Sequence, residues 1–96
     1  MKMIHSLKTK PEYYEAVQRC EKRFEVRKND RDFRVCDYLA LNEFDGEYTG
    51  RSMLVRVTYI LDDKEYCKDG YVIMNIQPCK VDGMSGYELF GGDRAW

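Results

Sequence analysis

C-E-K-R-F-E-V-R-K-N-D-R-D-F-R-V-C-D, residues Cys20 to Asp37, is the stretch on which the reading of this chain turns. Between Arg19 and Arg34 stand seven basic residues (Arg19, Lys22, Arg23, Arg27, Lys28, Arg31, Arg34) against four acidic ones (Glu21, Glu25, Asp30, Asp32). The formal net charge of the 96-residue chain is -1, so positive charge is concentrated here rather than spread. Phe24 and Val26 alternate with Arg23, Glu25 and Arg27. As a strand of period two, this places the apolar pair on one face and the charged trio on the other. Asn29-Asp30-Arg31-Asp32 follows, residues that close turns through side-chain bonds to backbone. The expectation is a strand that carries Glu25 and Arg27 into a loop rich in Arg and Asp, at the rim of a polar, anion-attracting pocket.

Working outward toward the N-terminus, Met3 to Lys8 reads as a first strand with Ile4 and Leu7 as its apolar anchors and His5 as the chain's single histidine. Thr9-Lys10-Pro11-Glu12 announces a helix: Thr9 with Glu12 fits capping-box spacing, whereas Pro11 at the first helical position moves the cap to Lys10, so the start is open by one residue. Tyr13, Ala16, Val17 and Cys20 recur at i, i+3, i+4 and i+7, one apolar stripe along about three turns.

Toward the C-terminus, Tyr38 to Phe44 is a third strand, with Leu39 and Leu41 facing one side. Asp45-Gly46 is a turn signal. The strongest strand pattern runs from Met53 to Leu61, where Met53, Val55, Val57, Tyr59 and Leu61 alternate with their neighbours and β-branched residues dominate. A charged loop, Asp62 to Asp69, and Gly70 precede Tyr71 to Gln77, whose Val72, Met74 and Ile76 point inward together. Pro78 discourages that ladder from continuing. Glycines surround Tyr87-Glu88-Leu89-Phe90, so the tail has room for one short edge strand at most. Five or six strands with one early helix make a single α+β domain, residues 1–96, built as a small, mostly antiparallel, near-closed barrel.

Composition limits the function classes. A chain of this length supports one core, and a net charge of -1 excludes a generic polycation that coats nucleic acid. No apolar run approaches eighteen residues and no signal-peptide core follows Met1, so the expected location is the cytoplasm, with no membrane partner and reduced thiols. Cys20, Cys36, Cys67 and Cys79 lack the paired spacing of structural zinc sites, and one histidine with scattered acids makes no ligand set; no metal or cofactor is expected.

The segments His5-Ser6-Leu7-Lys8, Pro11-Glu12-Tyr13-Tyr14, Lys22 through Phe33, Tyr48-Thr49-Gly50-Arg51 and Gly70 through Met74 resemble the DUF3850 family of small bacterial and phage proteins, itself similar to the ASCH domains of the PUA-like superfamily. The resemblance covers roughly residues 3–77 and leaves residues 81–96 as a variable tail. It implies a PUA-like barrel whose cleft holds the K-x-x-E-x-R residues Lys22, Glu25 and Arg27. ASCH domains are generally proposed to bind RNA. One branch hydrolyses the amide of an acetylated cytidine with a lysine and a threonine of this motif and a distant glutamate. Lys22 matches that lysine, but Glu25 stands at the threonine position, so the catalytic set is incomplete. Cys20 and Cys36 stand where the family usually has glycine. Either those glycines serve a positive-φ turn, which costs a cysteine about 1 kcal/mol or more, or they allow close approach of a ligand.

The resulting site hypothesis is a nucleic-acid-binding set of Lys22, Glu25, Arg27, Lys28, Asp30 and Arg31, with His5, Tyr48 and Arg51 as further members. Each also has a plain structural reading. Lys22 can complement a helix C-terminus or contact a phosphate. Glu25 can orient Arg27 or accept bonds from a base amino group, and acts as acid/base with Lys22 if the protein is a nucleoside amidohydrolase. Arg27 and Arg31 can pair with neighbouring acids or hold a phosphate in a planar fork. His5 can be a hydrogen-bonded strand residue, and Tyr48 can pack or stack on a base. The first expectation is a non-enzymatic module for RNA or a single nucleotide; the others are an amidohydrolase of an acylated nucleoside, and a phage-type accessory protein that binds a host protein or nucleotide signal.

Overall fold

The structure is a computed structural model, and it describes residues 2–81 and 84–85, with side chains through residue 79. The elements in chain order are β1 (Ile4–Thr9), α1 (Pro11–Gln18), β2 (Phe24–Lys28), β3 (Tyr38–Phe44), β4 (Tyr48–Leu61), β5 (Tyr71–Pro78), and the short pair β6 (Lys80–Val81) and β7 (Met84–Ser85). The main sheet has the order β1-β3-β4-β5-β2. Three of its pairings are antiparallel, and β1 lies parallel to β3, Leu7 opposite Leu41. A parallel neighbour needs a crossover, and residues 10–37 provide it, with α1 and β2 inside it.

The sheet curls into a half-barrel. Strands β1 and β2 are its two edges and do not pair with each other, so the expected near-closed barrel is corrected to an open one. A sheet closes only when its end strands exchange backbone bonds. Here side chains span the gap instead: Arg27 Nη2 donates to the Lys8 carbonyl at 2.9 Å, and Arg31 Nη1 to the Ser6 carbonyl at 2.6 Å. Ser6 and Lys8 are two residues apart, so their carbonyls leave the same side of β1.

The core gathers Leu7, Tyr14, Val17, Leu39, Leu41, Met53, Val55, Val57, Val72, Met74 and Ile76. The alternation expected for β3, β5 and the first part of β4 is present. Beyond Val57 it fails, because a register shift between Val57 and Tyr59 turns Tyr59 outward, 61% exposed, and brings Ile60 against the core. One extra residue on a bulged strand reverses the faces of everything after it.

Three other expectations are corrected. On β1 the inward residues are His5, Leu7 and Thr9, while Ile4 is exposed; residues three apart cannot share a strand face. On α1 the buried residues are Tyr14 and Val17, and Tyr13 faces solvent. On β2 the faces are exchanged: Glu25 is buried, and Phe24 and Val26 are about half exposed.

The helix ends in a Schellman motif. Cys20 N–H donates to the Val17 carbonyl and Glu21 N–H to the Ala16 carbonyl, with Cys20 at φ 62, the left-handed position that glycine usually fills. Cys36 is likewise at φ 80. Both cysteines therefore occupy backbone conformations that favour glycine. The 29–32 turn closes as expected, with Asn29 Oδ1 accepting from Phe33 N–H at 3.1 Å. The short strand expected over residues 87–90 lies outside the described residues.

Candidate functional site

Burying a carboxylate is costly unless cations accompany it. Glu25 is met on both sides: Oε2 lies 2.5 Å from Lys22 Nζ, and Oε1 accepts from Arg27 Nε at 2.9 Å. Lys22 also donates to the Phe24 carbonyl, and Arg27 reaches Thr9 Oγ1 at 3.4 Å. The K-x-x-E-x-R spacing explains the arrangement. Glu25 and Arg27 are two apart on β2 and share its inner face, and Lys22 reaches back from the turn after α1.

These three residues floor one wall of a cleft of about 680 Å³ between α1, β2 and the end of β1. Its basic groups are Lys8, Lys10, Lys22 and Arg27, its acidic ones Glu21 and Glu25, which leaves an excess of positive charge. Two aromatic rings line it, Tyr13 and Phe24. Lysines stand over both: Lys22 Nζ is 4.9 Å from the Phe24 ring centre and 5.6 Å from that of Tyr13, and Lys10 Nζ is 5.8 Å from Tyr13. The exposure of Tyr13, Phe24 and Val26 thus follows from their place around a cavity.

Of the residues singled out from sequence, the structure brings Lys22, Glu25 and Arg27 together in this cleft. Arg31 and Asp30 stand beyond it, Arg31 bridging the seam and 3.9 Å from Asp30. Lys28 shares the outward side of β2 with Phe24 and Val26. Tyr48 does not line the cleft: its ring packs edge-on against Phe44, and Lys8 Nζ lies 5.9 Å above it.

His5 and Arg51 lie elsewhere. His5 is buried, its Nε2 2.8 Å from Asp37 Oδ2 and its ring edge-on to Phe33. Asp37 also accepts from the backbone N–H groups of Met3 and Arg34. Burial pushes its carboxyl upward, but the His5 bond and the two backbone donors outweigh that and hold it below its ordinary value. Arg51 ties β4 to α1, with Nη1 3.0 Å from Glu15 and 3.7 Å from buried Glu43 and its guanidinium over the Tyr14 ring.

Sequence reasoning missed Lys8, Lys10, Tyr13 and Phe24. The available signal was two lysines flanking Thr9, just where a strand gives way to a helix. Among the described residues, no three His, Cys, Asp or Glu side chains gather to hold a metal ion, and no helix is long and apolar enough to cross a membrane.

Fold and site together define a small α+β half-barrel with a basic, aromatic-lined cleft. The chain belongs to the family described as "Domain of unknown function (DUF3850)", whose model matches residues 4–76. It is also similar to a protein of Escherichia phage P2 described as "Uncharacterized 12.9 kDa protein in GpA 3'region". The two are 36% identical over 76 residues, covering 78% of this chain and 69% of that one.

Proposed function

We propose that this protein is a non-enzymatic, ASCH- and PUA-like nucleic-acid-binding module of the cytoplasm that takes a single-stranded RNA base, or a single nucleotide, into the cleft between α1 and β2. The observation that supports it most is the pairing of ring faces with cations, Tyr13 and Phe24 beside Lys10 and Lys22, in a cleft that Lys8 also lines. Stacking on an aromatic face is worth about 1–3 kcal/mol per base, and lysines supply the phosphate contacts. Each Glu25 oxygen has a second lone-pair site besides the one its cation takes, so a base amino group can donate there. Arg27 holds Glu25 in place for that role.

Fluorescence anisotropy with labelled hexanucleotides tests the reading. The Lys8→Ala/Lys10→Ala protein should bind at least tenfold more weakly while melting at the same temperature. Equal affinity in the two proteins, or no binding by the parent, rejects it.

The pairing of Lys22 with buried Glu25 in the cleft favours one other reading, an amidohydrolase of an acylated nucleoside. There Lys22 polarises the acyl oxygen, and Glu25 takes the proton from the attacking water and passes it to the departing amine as the amide C–N bond breaks. The threonine of the hydrolytic branch is absent, with Glu25 at its position, so binding ranks first. Absence of turnover of acetylcytidine at high protein concentration removes the hydrolase. A third reading, a phage-type accessory protein that binds a host protein or a nucleotide signal, would be favoured by capture of a stoichiometric host partner.

A further inference from the structure

Seven arginines have described side chains, and five of them reach a carboxylate: Arg19, Arg27, Arg31, Arg34 and Arg51. The two that reach none among the described residues, Arg23 and Arg56, both line one groove of about 1000 Å³ on the far side of Lys22. Pairing in the sheet places Tyr38, Arg56 and Gln77 side by side across β3, β4 and β5. Arg23 is held at the neighbouring strand, because its carbonyl accepts from Ile76 N–H at 3.0 Å. No acidic residue lines this groove among the described residues, although the chain has more acids than bases. Lys22 lines both this groove and the α1–β2 cleft, so the two meet at its side chain.

We infer that the ligand of the cleft is a stretch of single-stranded nucleic acid rather than a lone nucleotide, and that its backbone passes Lys22 into this second groove, where Arg23 and Arg56 hold its phosphates. The inference rests on the nucleic-acid reading above and adds the length and course of the ligand. Two guanidiniums with no carboxylate partner among the described residues, Arg23 giving its Nε–H to the Cys20 carbonyl at 3.3 Å, match the repeating negative charge of a phosphodiester chain. A mononucleotide has one phosphate, which the cleft lysines take, and none left for the groove. Exposed Gln77, next to Arg56, has an amide that can meet a base edge.

The experiment compares UMP and AMP with hexauridylate and hexaadenylate by calorimetry, in the parent protein and in Arg23→Ala/Arg56→Ala and Arg23→Lys/Arg56→Lys variants. The readout is the ratio of hexamer to monomer affinity. In the parent it should exceed tenfold, and in the alanine variant it should fall several-fold, with the slope of log K against log salt shallower by about 1.4 for two lost single-strand phosphate contacts. The lysine variant should keep most of the salt slope. A parent that binds hexamers no more tightly than monomers, or a ratio and salt slope unchanged by the alanine substitutions, overturns the inference and leaves the cleft reading standing. Failure of the parent to bind any of the four probes overturns both.

Discussion

The Arg27 guanidinium crosses the open seam of the half-barrel and donates to the Lys8 carbonyl at 2.9 Å, while its Nε holds buried Glu25. One side chain thus joins two sheet edges and neutralises an interior carboxylate. Arg27→Ala should lower the unfolding free energy by about 2–3 kcal/mol, since a buried charge loses a partner and the seam loses a bridge. Arg31 is nearly half exposed, so Arg31→Ala should cost less than about 1 kcal/mol. Urea unfolding of both variants checks the order, and equal costs would mean that the seam is not held chiefly by Arg27. Any loss of affinity in Arg27→Ala has to be read beside that stability loss.

Exchange of the faces of β2 carries its own expectation. Glu25→Val, a substitution that hydrophobic patterning would welcome, should destabilise by about 3 kcal/mol because Lys22 and Arg27 lose their carboxylate. Val26→Ser, on the exposed side, should stay within about 0.5 kcal/mol of the parent. Thermal melts of the pair decide the matter, and a stable Glu25→Val protein would restore the opposite orientation.

Cys20 and Cys36 hold left-handed backbone at φ 62 and φ 80. Such a conformation costs a non-glycine residue roughly 1–2 kcal/mol, of which the greater freedom of glycine in the unfolded chain takes back part. Cys20→Gly should therefore stabilise by about 0.5–1 kcal/mol. Cys36→Gly should gain less, because Cys36 is half buried and gives up side-chain contacts. Calorimetric melting temperatures provide the check; a fall on Cys20→Gly would show that the thiol itself contributes at the helix end.

Acid should find the His5–Asp37 pair. The Asp37 carboxyl titrates below its ordinary value of 3.8, so its contribution is complete above the unfolded-state value and is lost as pH falls through the lower, folded-state one. Unfolding free energy should decline as pH drops below about 4, and Asp37→Asn should flatten that part of the curve while lowering stability at neutral pH. An acid limb of the same slope in both proteins would assign the loss to other carboxylates.

The sequence by itself determined the helix start to within a residue of Pro11, the strands β3 and β5, the part of β4 from Met53 onward, and the turns at Asn29 and Gly46. Each follows from local periodicity or from residues that restrict their own backbone, which need no knowledge of distant neighbours. A period of two says that a strand has two faces and not which one is buried. On β2 apolarity points the wrong way, because Phe24 and Val26 border a cleft while Glu25 is compensated inside by Lys22 and Arg27.

Only the tertiary structure decided the rest. The parallel pairing of β1 with β3 depends on how residues 10–37 cross over, and the bulge after Val57 that reverses Tyr59 leaves no mark in the pattern. Lys8 and Lys10 join a motif far from them in sequence because the seam between β1 and β2 is narrow enough for arginines to span. Closure by side chains, the seat of the buried charge and the membership of the cleft are all properties of distances between separate strands, which local sequence does not encode.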